Sequence, residues 1–430
     1  MKKLDASQGG SGVYRDDAVA RKLDNGLTIT MERLPHLHSA SAGIWIKTGS
    51  ANETEKQAGV SHFLEHLFFK GTKTRKAREL VEAIESKGGH INAFTSREYT
   101  CIHVKTLDTQ VATGIEILAD IAKNSTFCDL EKERNVVLEE IASTEDVPED
   151  HIHDLLARRL WPDHPLGLPV AGRFETISQM NLDDVRKYYD RWYRPRNMYF
   201  SIAGNFDEGA VLDQICNEFG GLRPSRAVKR SGPKHCGNGF EVVERDIAQN
   251  HICLGFPGPT VSDPRRYTCD VLGNALGGSS TSRLFNRIRE EEGLAYAIYS
   301  YHASYAFSGM LAVYAAVAPE NLAKTLELAF GEIRRFRDES CDLDEILRTR
   351  EHLKGNWLMA LENTFNRMAR MAKSMMFFKR LIGIREVVDA VDGVSVADVH
   401  ELAQDIFRPE TCAAVVLGPS TGQAIEDIGL

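Results

Sequence analysis

Two stretches of sequence decide the fold: residues 177–205 (ISQMNLDDVRKYYDRWYRPRNMYFSIAGN) and residues 391–419 (VDGVSVADVHELAQDIFRPETCAAVVLGP). The second begins 214 positions after the first in a chain of 430 residues, and the two align without a gap. An Arg-Pro pair, at Arg194 and Arg408, is among their identities. Self-similarity at a fixed offset is typical of a chain that uses one structural unit twice.

Each copy has the pattern of a helix followed by a strand. Apolar residues recur at helical spacing up to the Arg-Pro pair, and a proline disfavours helical backbone in the residue before it. A short apolar run then ends at a glycine, at residues 199–203 in the first copy and 413–417 in the second. Ser178 and Asp392 are candidates to open the two helices. The duplicated helix and strand predict two homologous α+β domains.

The domain boundary is predicted from a change in composition. Residues 220–239 are rich in Gly, Pro, Lys and Arg and lack periodic apolar residues, so we expect a linker there. It separates a first domain at residues 15–219 from a second at residues 240–430. Residues 1–14 are mostly polar and glycine-rich, and we expect them to be disordered.

The composition is that of a globular protein, with 43% apolar and 26% charged residues. Its net charge of -9 argues against a nucleic-acid partner, because no basic field would attract phosphates. There is no run of 18 apolar residues to predict a membrane-spanning helix, and no secretory signal is visible. The eight cysteines are scattered without a Cys-x-x-Cys pair, so we expect reduced thiols, a cytoplasmic protein and no cysteine-built zinc site.

The strongest chemical signal is the segment GVSHFLEHLFFKGT, residues 59–72. On a helix, His62, Glu65 and His66 project from one face, while the apolar residues between them bury the rest. Two imidazoles one turn apart can bind a tetrahedral zinc ion, and a nearby carboxylate can take a proton from zinc-bound water. This His-x-x-Glu-His arrangement predicts a zinc hydrolase with Glu65 as general base. The expected limits of the helix are Ser61 or Ser50 at its start and Gly71 at its end.

A third ligand is expected on a second helix, EKERNVVLEEIASTED, at residues 131–146. Glu133 and Glu140 are seven residues apart and therefore share a face. Glu140 is the predicted ligand, with Glu133 as its supporting partner. Glu139 competes for the ligand role, and spacing alone does not separate the two. The residues expected to anchor this helix are Val136 and Val137.

These residues resemble the pitrilysin/insulinase family of inverzincins. The half-length branch is the most similar, and it includes the β subunit of mitochondrial processing peptidase and bacterial processing-peptidase-like proteins. Members have a glutamate ligand about 75 residues after the inverted motif, and Glu140 lies 74 positions after His66. The family's helper glutamate, seven residues before the ligand, implies Glu133 and Glu140 rather than Glu139. Because the second half has no His-x-x-Glu-His, the resemblance implies one zinc ion per chain.

A second stretch that resembles this family is GGHINAFTSREYTCIHV, residues 88–104. It is similar to the strand that borders the active-site cleft. The resemblance implies that Asn92, Ala93 and Phe94 bind substrate, since an edge strand can pair with an extended peptide through its free backbone groups.

A third stretch, NRIREEEGLAYAIYSYH at residues 286–302, resembles the family's arginine–tyrosine segment. Arg289 and Tyr296 have the family's spacing of seven residues. The resemblance implies that these two side chains bind the substrate carbonyl and stabilise the tetrahedral oxyanion.

The resemblance implies two α/β-sandwich-like domains per chain, each a mainly antiparallel sheet covered by helices. It also implies a homodimer that closes into a hollow chamber, because a half-length chain must take the arginine–tyrosine pair facing its zinc from another chain. The predicted function is a zinc endopeptidase for peptides or unfolded, presequence-like segments. The alternatives are a non-catalytic scaffold or partner subunit of a larger assembly, and a zinc hydrolase for a small molecule.

Overall fold

The computed structural model describes residues 1–6, 16–224, 228 and 230–419. Its elements up to residue 219 are, in chain order, β1 (Lys2–Ala6), β2 (Val19–Lys22), β3 (Thr28–Arg33), β4 (Ser39–Ile46), α1 (Val60–Phe68), α2 (Ala77–Glu85), β5 (His90–Thr95), β6 (Thr100–Leu107), α3 (Val111–Asn124), α4 (Leu130–Asp146), α5 (Pro148–Leu160), α6 (Phe174–Gln179), α7 (Leu182–Trp192), β7 (Met198–Gly204) and α8 (Glu208–Phe219).

The later elements follow the same alternation of sheet and helix. They are β8 (Gly239–Glu244), β9 (Asn250–Pro257), α9 (Arg266–Gly277), a π-helical segment (Phe285–Glu291), β10 (Ala295–Ser304), β11 (Gly309–Val317), α10 (Leu322–Asp338), α11 (Leu343–Ala360), α12 (Thr364–Phe378), α13 (Ile384–Asp392), α14 (Val396–Ile406) and β12 (Ala413–Gly418). Within the described part of the chain, each helix is too short or too polar to cross a membrane.

The strands form two sheets. The seven-stranded sheet has the order β1-β2-β3-β7-β4-β6-β5, and the five-stranded sheet has the order β10-β11-β9-β12-β8. Neighbouring strands are antiparallel except for β3 with β7 and β8 with β12. Helices cover both sheets, so the predicted fold class, α+β with two mainly antiparallel sheets, is confirmed.

The duplicated segment forms the same structure in both copies, a helix, a short 3-10 turn and a strand. These are α7 with β7 in the first copy and α14 with β12 in the second. The helices open at Asn181 and Ser395, whose side chains accept a hydrogen bond from the backbone N–H three residues on. The expectation for Ser178 and Asp392 was wrong, because they lie within α6 and at the end of α13.

The chain divides into two compact units that are discontinuous in sequence. Unit 1 comprises Met1–Ile141, Pro169–Arg230 and Leu358–Val387. Unit 2 comprises Ala142–Leu168, Ser231–Trp357 and the chain from Val388 onward. Two continuous domains were expected instead. The difference arises because α5 is part of unit 2, although it precedes the linker, and α12 is part of unit 1, although it follows it.

Residues 1–14 also differ in part from the expectation of disorder. Lys2–Ala6 forms strand β1, which pairs antiparallel with β2 at the edge of the seven-stranded sheet. Residues 7–14 lie outside the described residues.

Helix α12 covers one face of the seven-stranded sheet in unit 1. Its Met368, Met371 and Met375 recur at helical spacing and are buried in a cluster with Trp45 and Tyr199 of the sheet. Flexible thioethers suit such a contact, because they fill the irregular space around two large rings.

A buried ion-pair network also holds α12 to the sheet. Arg370, only 9% exposed, donates two hydrogen bonds to the Asp16 carboxylate, at 2.6 and 2.9 Å, and lies 3.5 Å from Glu32. Arg367 pairs with Glu32 at 2.5 Å. Burial raises the pKa of Asp16, but the Arg370 guanidinium outweighs this effect and holds it below its usual value. The network therefore compensates charges that the apolar surroundings disfavour.

Helix α5 covers the sheet of unit 2, as α12 covers the sheet of unit 1. The two helices also have similar positions in the sequence. Helix α5 begins at Pro148, 29 positions before the first duplicated segment, and α12 begins at Thr364, 27 positions before the second. Leu156 and Leu160 of α5 pack so closely on strand β9 that a Cβ at Gly255 would lie 2.9 to 3.0 Å from their side chains. Each sheet is thus covered by a helix from the other half of the sequence.

We expect Arg370→Met to destabilise the protein by about 3–5 kcal/mol, because it removes the buried cation between two carboxylates. The control is Arg380→Met, whose 53%-exposed side chain pairs with Glu386 and should contribute about 0–1 kcal/mol. The measurement is the urea midpoint of unfolding followed by tryptophan fluorescence. Equal shifts in the two variants would contradict the assigned role of the buried network.

Candidate metal centre

Helix α1 begins at a glycine that no other residue can replace without strain. Gly59 has φ +90°, and a Cβ there would lie 2.6 Å from the carbonyl oxygen of Ala171 and 2.7 Å from the Cα of Gly172. L-residues rarely adopt this conformation, and the space is filled by backbone. The helix therefore starts without a side-chain cap of its own.

Glu53 supplies the missing cap from six residues upstream. Its carboxylate accepts hydrogen bonds from the N–H groups of Gly59 and Ser61, at 2.7 and 2.8 Å. Burial raises the pKa of Glu53 to about 7, against the effect of these hydrogen bonds. Neither Ser61 nor Ser50 opens the helix as expected: Ser61 lies inside it and donates its hydroxyl to Tyr188, and Ser50 begins a separate 3-10 turn.

The remaining faces of α1 are in the core. Phe63, Leu64, Leu67 and Phe68 are completely buried, so the rotation of the helix about its axis is set by packing. The helix ends at Phe68, and Gly71, the expected limit, follows with φ +113°. Because the apolar face is fixed in the core, the face that carries the two histidines and Glu65 points away from the core.

Helix α4 brings the acidic residues to this face. Val137 and Ile141 anchor it in the core, whereas Val136, also expected to be an anchor, is 45% exposed. The helix follows two residues with positive φ, Phe127 and Asp129. The ring of Phe127 lies 6.0 Å from that of Phe68, so this strained turn joins α4 to the end of α1.

His62, His66 and Glu140 come together between the two helices. One Glu140 oxygen lies 3.4 Å from Nε2 of His62, and the other lies 3.3 Å from Nε2 of His66. Hydrogen bonds from the two imidazoles hold the pKa of Glu140 well below its usual range. Glu139 is exposed and has no recorded partner among the described residues, so the geometry favours Glu140 as the third ligand.

This donor set fits a zinc ion. The ligating atoms of the three residues lie within 4.8 Å of one another. Two imidazole nitrogens and one carboxylate oxygen are the donors of catalytic zinc sites, which leave a fourth tetrahedral position open. Within the described part of the chain, no other group of three or more such residues has this geometry.

Glu65 is held in place by a residue outside the His-x-x-Glu-His motif. Its Oε2 accepts a hydrogen bond of 2.6 Å from the Thr95 hydroxyl at the end of strand β5. Alternation along the strand places Thr95 on the same face as Ala93, which is 7% exposed. That alternation was the available signal, but it does not show which strand lies beside α1.

The predicted substrate strand β5 lies at an edge of the seven-stranded sheet. The Ala93 N–H donates to the side-chain oxygen of Asn92, at 2.8 Å, rather than to strand β6. Phe94 points to the other face, where its ring packs 5.7 Å from that of Trp45. Asn92 and Ala93 thus lie on an edge strand, whereas Phe94 belongs to an aromatic cluster.

Arg289 and Tyr296 lie in unit 2, whereas the three candidate metal ligands lie in unit 1. Arg289 is in the π-helical segment, a rare conformation that is frequent at functional sites. Its guanidinium lies 5.4 Å from the Tyr296 ring centre. Tyr296 is 81% exposed, so its hydroxyl is available to a ligand.

The chain matches two models of one peptidase family. Residues 28–173 match the family model for insulinase (peptidase family M16), and residues 179–353 match that of the peptidase M16 inactive domain. The chain is 38% identical to the uncharacterized zinc protease YmxG of Bacillus subtilis, over 92% of this chain and 97% of that one. It is 36% identical to the uncharacterized zinc protease SCO5738 of Streptomyces coelicolor, over 92% and 88%.

Solved structures support the fold. A protease from Helicobacter pylori superposes with a TM-score of 0.87 at 22% identity, over 94% of this chain and 99% of that one. A chain of complex III2 from Candida albicans superposes with a TM-score of 0.82 at 18% identity, over 95% and 99%. At these identities the likeness establishes the architecture alone.

Metal analysis of purified variants tests the ligand set. His62→Ala, His66→Ala and Glu140→Gln should each weaken zinc binding by at least about tenfold, because each removes a donor atom. Glu139→Gln is the matched control and should retain full zinc content. Loss of zinc in Glu139→Gln, with retention in Glu140→Gln, would reverse the assignment of the two glutamates.

Proposed function

The chain belongs to the insulinase family (peptidase family M16), and we propose that it is a zinc-dependent endopeptidase that hydrolyses peptides or unfolded, presequence-like segments. The observation that carries the proposal is the convergence of His62, His66 and Glu140 within 4.8 Å, beside the Glu65 carboxylate on the same helix. Relatives that are named zinc proteases support this assignment.

Glu65 is the proposed general base. Zinc, when bound, supplies Lewis-acid chemistry that polarises a carbonyl and makes a water molecule more acidic. Glu65 accepts the proton of the attacking water and transfers it to the leaving amine. Thr95 already donates to Oε2 of Glu65, which leaves Oε1 with both of its lone pairs open to the proton of water. The hydrogen bond also keeps the carboxylate from turning away during the two transfers.

The substrate is proposed to bind as an added strand along β5. An edge strand offers free backbone N–H and C=O groups that pair with an extended peptide without regard to its sequence. A substrate carbonyl would replace the side-chain oxygen of Asn92 on the Ala93 N–H. The displaced Asn92 amide can then bind the same peptide. The net charge of -9 favours basic segments.

Arg289 and Tyr296 are proposed to bind the substrate carbonyl and the developing oxyanion, since each offers a donor suited to negative charge. Because each chain has one zinc motif and one arginine–tyrosine pair, we propose a homodimer. Each of its two sites would combine the zinc of one chain with the pair of the other.

The eight cysteines bear on the proposed compartment. All are free thiols, and Cys101, Cys253, Cys269, Cys341 and Cys412 are buried. A cytoplasmic location is the proposal consistent with them, because reducing conditions keep such thiols unpaired.

A scaffold or partner-subunit role is the second candidate. It is favoured by the match of residues 179–353 to an inactive-domain model and by the likeness to a chain of complex III2. The presence of His62, Glu65, His66 and Glu140 in one site favours the peptidase. A chelator-sensitive assay with quenched fluorescent peptides separates the two. Zinc binding with turnover of small esters or amides, but not of peptides, would indicate a small-molecule hydrolase.

Replacing Glu65 with Gln should lower peptide hydrolysis by at least about 10² to 10⁴-fold, because the amide cannot accept the proton of water. Zinc content should not change, since the three ligands remain. Glu139→Gln, which alters an exposed carboxylate on α4, is the activity control. Substantial turnover by zinc-loaded Glu65→Gln would remove Glu65 from the role of general base.

Mixing two inactive variants tests the composite dimer. Glu65→Gln is combined with the double variant Arg289→Ala/Tyr296→Phe. Random exchange makes about half of the dimers mixed, and each mixed dimer has one intact site, so about a quarter of wild-type activity should return. No recovery, under conditions where subunit exchange is demonstrated by labelled chains, would contradict sites shared between chains.

A further inference from the structure

Glu133 is a deeply buried carboxylate beside the metal centre. Its side chain is only 3% exposed, and its Oε2 lies 3.5 Å from Nδ1 of His66. It is not one of the three residues whose ligating atoms converge. An ionised carboxylate in such a position destabilises the fold unless a cation or several hydrogen bonds compensate its charge.

Lys70 provides that compensation. Its ammonium lies 2.9 Å from Oε1 of Glu133, the oxygen that does not face His66. Among the described residues, Lys70 is the one lysine or arginine recorded within ion-pair distance of this carboxylate. The lysine side chain is 28% exposed, so its charge remains partly hydrated. The charge of Glu133, whose side chain is 3% exposed, is shielded from water.

The end of α1 determines where Lys70 points. The helix stops at Phe68, and the N–H groups of Phe69 and Lys70 bond to the carbonyls of His66 and Leu67 in a tightened last turn. Lys70 thereby leaves the helical path just after the ligand His66. The same short segment therefore supplies both a metal ligand and the counter-ion of the carboxylate behind that ligand.

The two histidines differ in their support. A carboxylate facing Nδ1 of a metal-binding imidazole keeps the proton on that nitrogen and leaves Nε2 free for the metal. His66 has this arrangement through Glu133, and its Nε2 faces Glu140 at 3.3 Å. Nδ1 of His62 is buried and has no recorded hydrogen-bond partner among the described residues. The orientation of His66 thus depends on a charged group that His62 lacks.

We propose that Lys70 is a positioning residue of the metal centre: it holds Glu133 as a buried carboxylate against His66 and so presents Nε2 of His66 to zinc. The inference rests on the proposed metal site and adds a residue that neither touches the metal nor lies in the His-x-x-Glu-His motif. It acts through two successive contacts, from Lys70 to Glu133 and from Glu133 to His66.

A double-mutant cycle tests this proposal. Lys70→Met, Glu133→Gln and the combination are purified, and the zinc dissociation constant of each is measured by competition with a chromophoric chelator. Lys70→Met should weaken zinc binding by about 10 to 100-fold, as loss of a supporting group does. Lys70→Arg keeps the charge and should remain within about threefold of wild type. Glu133→Gln should weaken binding to a similar extent as Lys70→Met.

The decisive comparison is between Glu133→Gln and the double variant. If Lys70 acts through Glu133, adding Lys70→Met to Glu133→Gln should leave zinc affinity unchanged, so the two substitutions are strongly non-additive. The double variant contains no unpaired buried charge, so the comparison stands even if Lys70→Met alone is too unstable to purify. Apo-protein melting temperatures should also show Lys70→Met to be the least stable of the three.

Lys123→Met is the matched control. Lys123 also lies in unit 1, is 24% exposed and pairs with Glu218 at 2.5 Å, but its ion pair joins α3 to α8 rather than the end of α1 to α4. Its substitution should leave zinc affinity at the wild-type value.

Two results would overturn the proposal: wild-type zinc affinity in Lys70→Met, or an equal loss of affinity on adding Lys70→Met to Glu133→Gln. Failure of the proposed function gives a different result. A wild-type chain that binds zinc but cleaves no peptide would refute the peptidase assignment and leave the cycle in support of Lys70.

Discussion

The packing of one nine-residue helix, α1, is the constraint on which the metal centre depends. Its four completely buried apolar side chains each contribute about 1.5–3 kcal/mol, so turning the helix about its axis would be strongly unfavourable. Gly59 sets where the helix begins, and Glu53 compensates for the cap that a glycine cannot provide. With rotation and start both fixed, the two histidines and Glu65 can face only one direction.

A small number of polar contacts holds the side chains of the metal centre in place. Glu140 bridges the two imidazoles, Glu133 lies between His66 and Lys70, and Thr95 holds Glu65. Glu133, the most buried of these residues, thus lies between the imidazole of His66 and the partly exposed ammonium group of Lys70. Such preorganisation lets ligands keep their geometry without rearrangement when a metal or substrate binds.

Sequence patterns predicted what depends on local spacing and missed what depends on contacts between distant segments. The duplicated helix and strand are as expected, and the placement of two histidines and Glu65 on one helical face follows from a period of 3.6 residues. Periodicity did not separate Glu139 from Glu140: the two side chains point about 100° apart on the helix, but the sequence does not show which direction faces the histidines. Glu53 has no signal in its own neighbourhood, and strand alternation gives the face on which Thr95 lies but not the helix that it meets. The sequence also did not predict that α5 belongs to unit 2 and α12 to unit 1, because the apolar stripe of a helix does not specify which sheet it covers.

The crossed arrangement of α5 and α12 has a consequence for synthesis on the ribosome. Helix α12 is synthesised after every strand of the seven-stranded sheet, so the methionines that pack on Trp45 and Tyr199 are made only after the sheet that they cover. A domain that usually folds as soon as it leaves the exit tunnel must here wait for a distant segment. A chain truncated before residue 364 therefore lacks the side chains that bury Trp45 and Tyr199 and cannot complete this part of its core.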